Sequence, residues 1–283
     1  MTGPDKMAGS ALAADRPASK LTSPLVRWWV LYRKEMLESL RSFKLLWMPL
    51  VFILIGAMQP VMLHMLPDLL ASAGSLPESV LHEIPRPQAF EVLAQTLGQY
   101  DTMGALITAL AFMAVVSGER ASGTAALMLT KPISAAAFIT SKWAGLLTIT
   151  MLSFSAGYAA AWYYTYVLFG AVGAGKFLGS LLLYGLWLVF IGTCTLLFGS
   201  LLKSGAAAAF AALGTAAVLS IVSSLYTEQL AWSPGRLPSY ASALLTGGDP
   251  GSAAAGAAAF TVVCLIAACA GAVAALRTKP SVD

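Results

Sequence analysis

The chain has 283 residues, of which 58% are hydrophobic and only 11% charged, with a mean hydropathy of +0.76. Soluble domains carry roughly 25% charged residues, so this composition excludes a water-soluble globule and makes runs of about 20 apolar residues, enough to cross roughly 30 Å of hydrocarbon, the first feature to find. The formal net charge is +4, and no basic cluster with interleaved aromatics marks a nucleic-acid partner.

In chain order, residues 1–24 carry Pro4, Pro17 and Pro24 among Gly, Ser and Ala without the apolar core of a signal peptide, and read as a flexible cytoplasmic tail. Residues 25–283 read as one six-helix transmembrane permease domain. Its first part is an amphipathic interfacial helix. Leu25, Trp29, Tyr32, Met36, Leu40 and Phe43 recur at steps of three and four, while Arg27, Lys34, Glu38 and Arg41 gather on the opposite face. Six apolar runs follow: Leu45 to Met65, Thr102 to Val116 with extension toward Leu97, Trp143 to Phe169, Phe177 to Leu202, Ala206 to Leu225 and Ala253 to Leu276. With no water in the bilayer to satisfy free backbone groups, these runs must be helices, and Pro49 and Pro60 are expected to bend the first without breaking it. The fold class is therefore an all-α membrane protein, with six transmembrane helices preceded by the interfacial helix.

Two connections are long. Pro67 to Tyr100 is acidic, and its Pro87 to Leu97 portion reads as a separate short amphipathic helix. Tyr226 to Pro250 holds Trp232 and Tyr240 with turn signals at Ser233-Pro234-Gly235 and Gly247-Gly248, so it is expected to lie against the membrane surface or dip partly in. In the last run Ala267, Gly271 and Ala275 offer a small-residue face for close helix packing.

Short cytoplasmic segments accumulate Lys and Arg. Lys6, Arg16, Lys20, Arg27, Arg33, Lys34, Arg41, Lys44, Arg120, Lys131, Lys142, Lys203, Arg277 and Lys279 fall on one side of the six-span arrangement; only Arg86, Lys176 and Arg236 fall on the other. The expected location is the cell membrane, multi-pass, with both termini cytoplasmic.

The cytoplasmic loop after the second run carries the functional signal. From Ser117 it reads Gly118, Glu119, Arg120, then Gly123-Thr124, the short apolar run Leu127-Met128-Leu129, and Lys131-Pro132-Ile133-Ser134 before Lys142. Thr124 can cap a short helix, Lys131-Pro132 stops it, and Ser134 can cap a helix that re-enters the membrane. An exposed apolar patch flanked by charge suits helix-in-groove docking to a cytoplasmic partner.

The sequence Arg33-Lys34-Glu35 before the first span, Gly-Glu-Arg-x-x-Gly-Thr from Gly118 to Thr124, Lys-Pro-Ile-Ser from Lys131 to Ser134, and Lys142 opening the third span resembles the permease subunits of type-2 ATP-binding-cassette transporters. The arrangement matches over roughly Leu25 to Leu276, the sharp motif over Ser117 to Lys142; Ala135 and Ala136 stand where members commonly have Arg after Pro-x-Ser. What the resemblance implies is a permease, with export favoured, that pairs with a second copy or a related permease. An ATP-binding subunit would sit at the cytoplasmic face and carry ATP and Mg, this chain binding no cofactor. The implied ATPase-coupling loop contains Glu119, Arg120, Gly123, Thr124, Leu127, Met128, Leu129 and Pro132, and the interfacial helix contributes Trp29, Arg33, Lys34, Glu35 and Met36. Membrane lipid is the remaining partner, and apolar spans are compatible with hydrophobic or amphipathic cargo.

Other chemistries have weaker support. Gly170 to Lys176 fits seven positions of a phosphate-binding loop, but Phe177 replaces the Mg-binding Ser or Thr and no strand precedes it, so the glycines read as a helix hairpin. His64 and His82 form no catalytic motif, and Cys264 and Cys269, roughly 140° apart on a helix, suit neither a disulfide nor a metal site. The expectation is a permease subunit with no ATPase site of its own. A membrane-embedded sensor or assembly scaffold is the alternative. A secondary transporter would need ionisable groups deep in the spans, where none is expected, Asp101 and Glu119 being placed at membrane edges.

Overall fold

Residues 23–72, 87–121 and 134–278 are described by the structure, a computed structural model, and their regular elements are all helical. The expected tail up to residue 22 and the loop residues Gly123, Thr124, Leu127, Met128, Leu129 and Pro132 lie outside the described residues. Helix α1 (Pro24–Arg41) begins where the Ser23 hydroxyl accepts the Val26 N–H and Pro24 takes a position whose N–H would have no helical partner. After Ser42, Phe43 adopts φ +57°, and this left-handed residue turns the chain into α2 (Lys44–Ser72). Helix α2 continues through Pro49, Pro60 and Pro67, past the expected end at Met65, and buries Met48, Phe52, Ile55, Gly56 and Pro60 along one stripe.

Helix α3 (Ala89–Phe112) corrects the sequence reading of the second span. Pro87 to Leu97 contributes no separate surface helix; Gln88 and Glu91 form a capping box, the Gln88 N–H donating to Glu91 Oε2 at 2.9 Å, and the helix runs unbroken from there. Its polar residues misled because they are satisfied between helices: the Gln59 side chain of α2 donates to Gln95 Oε1 at 3.1 Å, while Val92, Leu93, Leu97 and Tyr100 face the core. Asp101 is therefore not at an edge. It occupies the middle of the 24-residue α3, roughly 17 Å from either end at ~1.5 Å per residue. A turn at residues 113–116, closed by Val115 N–H to the Phe112 carbonyl, redirects the chain into the one-turn α4 (Ser117–Ala121).

Helix α5 (Ala135–Phe169) starts at Ser134, whose hydroxyl accepts the Ala137 N–H, and ends at Gly170 with φ +113°, open to glycine but not to other residues without strain. Across the resulting tight connection stands α6 (Ala174–Leu201), the most buried of the spans, followed by α7 (Gly205–Leu225). Lys176, in the glycine-rich connection that mimics a phosphate loop, donates to the Leu245 carbonyl at 3.2 Å. A 3-10 turn, Pro234–Arg236, leads to α8 (Leu237–Thr246), and α9 (Gly251–Thr278) closes the described chain. The Tyr226 to Pro250 segment does tuck in: Leu237, Tyr240, Ala241 and Leu245 of α8 are buried against α3 and α6. On α9 the buried stripe is Ala254, Ala257, Thr261, Leu265 and Ala272; of the expected small-residue face only Ala275 is buried, with Ala267 and Gly271 exposed.

Among the described residues six helices are long and apolar enough to cross a membrane: Lys44–Ser72, Ala89–Glu119, Ala135–Phe169, Ala174–Leu201, Gly205–Leu225 and Gly251–Thr278. The closest crossing is α2 on α5. A Cβ on Gly56 would collide with the Gly157 carbonyl, and one on Gly157 would lie 2.5 Å from the Phe52 carbonyl oxygen. Tyr100 seals the crossing by donating its hydroxyl to that same carbonyl at 2.6 Å. From there Phe52, Tyr100, Phe154, Tyr158, Phe177 and Trp162 form a column with successive ring centroids 5.0–5.5 Å apart, tying α2, α3, α5 and α6 together.

Candidate functional site

Helix α1 docks on α5 through a stripe at helical spacing, Trp28, Leu31, Tyr32 and Glu35. Trp28 Nε1 donates to Thr140 Oγ1 at 3.0 Å, the Tyr32 and Thr148 hydroxyls are 3.1 Å apart, and the Trp28 and Tyr32 rings stack. Gly145 leaves room for the approach, since a Cβ there would lie 3.5 Å from Glu35 Cβ. This docking leaves most of the apolar series named in the sequence uncovered. Tyr32 and Met36 are partly covered, but Leu25, Trp29, Leu40 and Phe43 are exposed, Leu25 at 80%. Solvent or lipid meets those apolar side chains because the docking stripe is fixed by hydrogen-bonding residues, which a search for hydrophobic periodicity does not weigh.

At the centre of the contact lies an ion cluster drawn from three elements. Lys142 of α5, with a side chain only 1% exposed, places Nζ 3.0 Å from Glu35 Oε1 of α1 and 3.0 Å from Glu119 Oε2 of α4. Lys34 reaches Glu119 Oε1 at 2.6 Å, Glu35 at 3.2 Å and Glu38 at 3.3 Å. The turn at 113–116 is what aims Glu119 back toward α1 and α5. Burial alone would pull the Lys34 ammonium down, but the hydrogen bond with Glu119 and the fields of Glu35, Glu119 and Glu38 outweigh it and hold Lys34 above its ordinary range. Carboxylate oxygens of Glu35, Glu38 and Glu119 lie within 4.8 Å of one another, close enough for a metal ion, yet the two ammonium groups already occupy the space between them and would repel one.

Lys34, Glu35 and Glu119, singled out in the sequence, are thus brought together with Lys142; Met36 packs beside them half-buried, and Trp29 and Arg33 point away. Glu38, Trp28, Tyr32, Thr140 and Thr148 are additional. Their signal was the i, i+3, i+4, i+7 series 28, 31, 32, 35, available in the sequence but masked by the stronger apolar series one residue later.

An all-helical bundle with six membrane-crossing candidates among the described residues, its leading helix joined to the spans by an ion cluster, defines a polytopic membrane protein. Residues 29–277 match the ABC-2 family transporter proteins, and the chain belongs to that family. The match takes in α1 from Trp29 and all six spanning candidates. The chain is also similar to the "Uncharacterized transmembrane protein YxlG" of Bacillus subtilis (strain 168), with 33% identity over 236 residues covering 83% of this chain and 92% of that protein. It is a transporter permease, a membrane transport component of a family whose permeases generally work with an ATP-binding subunit.

Proposed function

We propose that this chain is the membrane-spanning half of an ATP-driven exporter, acting as a pair of permeases with a separate ATP-binding subunit docked on the 118–134 loop. One observation carries the reading: the buried cluster of Lys34, Glu35, Glu119 and Lys142 anchors the beginning of that loop to α1 and α5, so force applied at the loop is transmitted to the spans. Leu127, Met128 and Leu129 supply the apolar anchors for the ATPase groove, and ATP and Mg bind to the partner. A sensor or scaffold would not require so direct a link between the loop and two helices.

Co-purification of the ATP-binding subunit tests this. Truncating an anchor in a partner groove commonly costs about 2 kcal/mol or more. Leu127→Asp with Leu129→Asp is expected to insert normally but to lose the ATPase, whereas Ser239→Asp, an exposed position on α8, keeps it. Full ATPase retention and transport in the loop variant would remove the coupling role.

The distribution of Lys and Arg supports a cytoplasmic α1 end and cytoplasmic termini. In a background with Cys194, Cys264 and Cys269 replaced, Ser239→Cys is expected to react with an impermeant thiol reagent on intact cells and Ser42→Cys only after permeabilisation. Labelling of Ser42→Cys in intact cells would invert the topology.

A further inference from the structure

An ionisable group at the middle of a spanning helix is costly and needs a function or a partner. Asp101 of α3 is half-buried at that depth, and Trp187, which donates its Nε1 to Asp101 Oδ1 at 3.2 Å, stands at the middle of α6. The Tyr184 hydroxyl, on a wholly buried ring one turn away, makes no hydrogen bond among the described residues. Trp187 is a neutral donor. It orients the carboxylate without balancing its charge, and among the described residues no Lys or Arg forms an ion pair with Asp101.

Asp101 opens onto a groove of about 440 Å³ between α3, α6 and α7, within the size range of small-molecule sites. Beyond the carboxylate its lining is apolar or weakly polar, with Leu106, Trp187, Leu213 and Ile221 providing the bulk and Thr102 and Ser220 the hydroxyls. Helix α7, which forms the far wall, is the least buried of the spans, so the groove is open on the side away from the bundle core. A single negative charge at the base of an apolar, laterally open groove is complementary to one positive charge carried on an apolar body.

We propose that Asp101 and the α3/α6/α7 groove form a binding site for a lipophilic organic cation, the carboxylate neutralising its charge and the indole and aliphatic walls covering its body. The aromatic face of Trp187 adds cation attraction in a desolvated setting. This rests on the permease reading and gives it a substrate class: monovalent cations that partition into lipid.

The test is equilibrium binding of radiolabelled tetraphenylphosphonium to the full chain in lipid nanodiscs, with uncharged triphenylphosphine oxide as competitor. Saturable binding is expected in the wild type, weakened at least tenfold by Asp101→Asn and largely kept by Asp101→Glu, with the neutral competitor ineffective. No saturable binding to the wild type, binding unchanged in Asp101→Asn, or equal displacement by the neutral compound would each overturn the proposal. The wild-type competition holds even where a variant fails to insert. ATPase co-purification separates the two readings: a chain that retains the ATPase but ignores the cation loses the site and keeps the permease assignment, and a chain that binds the cation but never recruits an ATPase does the reverse.

Discussion

Lys142→Ala is expected to destabilise the solubilised protein by up to about 3–5 kcal/mol and to abolish transport, because it leaves the largely buried Glu35 and Glu119 carboxylates with only the partly exposed Lys34 ammonium between them. Thermal unfolding in detergent, read beside a transport assay, measures both effects. Lys34→Ala, at a side chain 34% exposed, is expected to cost distinctly less, since water can reach the vacated position. The triple change Lys142→Met, Glu35→Leu, Glu119→Leu removes the uncompensated charge and is expected to regain much of the melting temperature without regaining transport, since the link to the loop is gone. Recovery of both would mean the cluster serves stability alone; wild-type melting together with wild-type transport in Lys142→Ala would mean it serves neither.

The second large effect belongs to the α2/α5 crossing. In Gly157→Ala the new methyl group would sit 2.5 Å from the Phe52 carbonyl oxygen and 2.5 Å from the Tyr100 hydroxyl, so the helices must separate and the hydrogen bond between those two groups must break. Overpacking costs about 1–3 kcal/mol, and a buried carbonyl left unpaired adds about 1–3 kcal/mol more. The expected result is loss of the monodisperse peak in detergent size-exclusion chromatography and a sharply lowered melting temperature. Gly98→Ala provides the control with identical chemistry: no atom lies within 4 Å of a Cβ there, and relief of backbone entropy in a helix makes it neutral or stabilising by up to about 1 kcal/mol. Equal behaviour of the two variants would show that the crossing is not held at glycine distance.

Fold class and the number of spanning helices were legible in the sequence because apolar run length is a direct readout of hydrocarbon thickness, and α7 was expected at 206–225 and found at Gly205–Leu225. Helix α3 was placed poorly for a physical reason. Gln95, Gln99 and Asp101 lower local hydropathy, and only the three-dimensional partners, Gln59 for Gln95 and Trp187 for Asp101, show that these groups are accommodated within a helix bundle. The same limit applied at the ion cluster. Arg33-Lys34-Glu35, Glu119 and Lys142 each stood out as parts of a motif, but nothing in their spacing of 85 and 107 residues states that Lys34 meets Glu119 or that Glu35 meets Lys142. The stripe by which α1 docks on α5 is not legible in the sequence, because Trp28 and Tyr32 dock by hydrogen bonds to Thr140 and Thr148, an interaction that hydrophobic periodicity cannot register.

The aromatic column running from Phe52 to Trp162 has a mechanical consequence. A gap of about 0.5–1 Å forfeits roughly a quarter to a half of a contact's dispersion attraction, so the four helices these rings join are expected to move together as one stator. Helix α7, the least buried of the spans and outside the column, is the one expected to move against it. Hydrogen exchange should divide along that seam, slow in α5 and α6 and faster in α7.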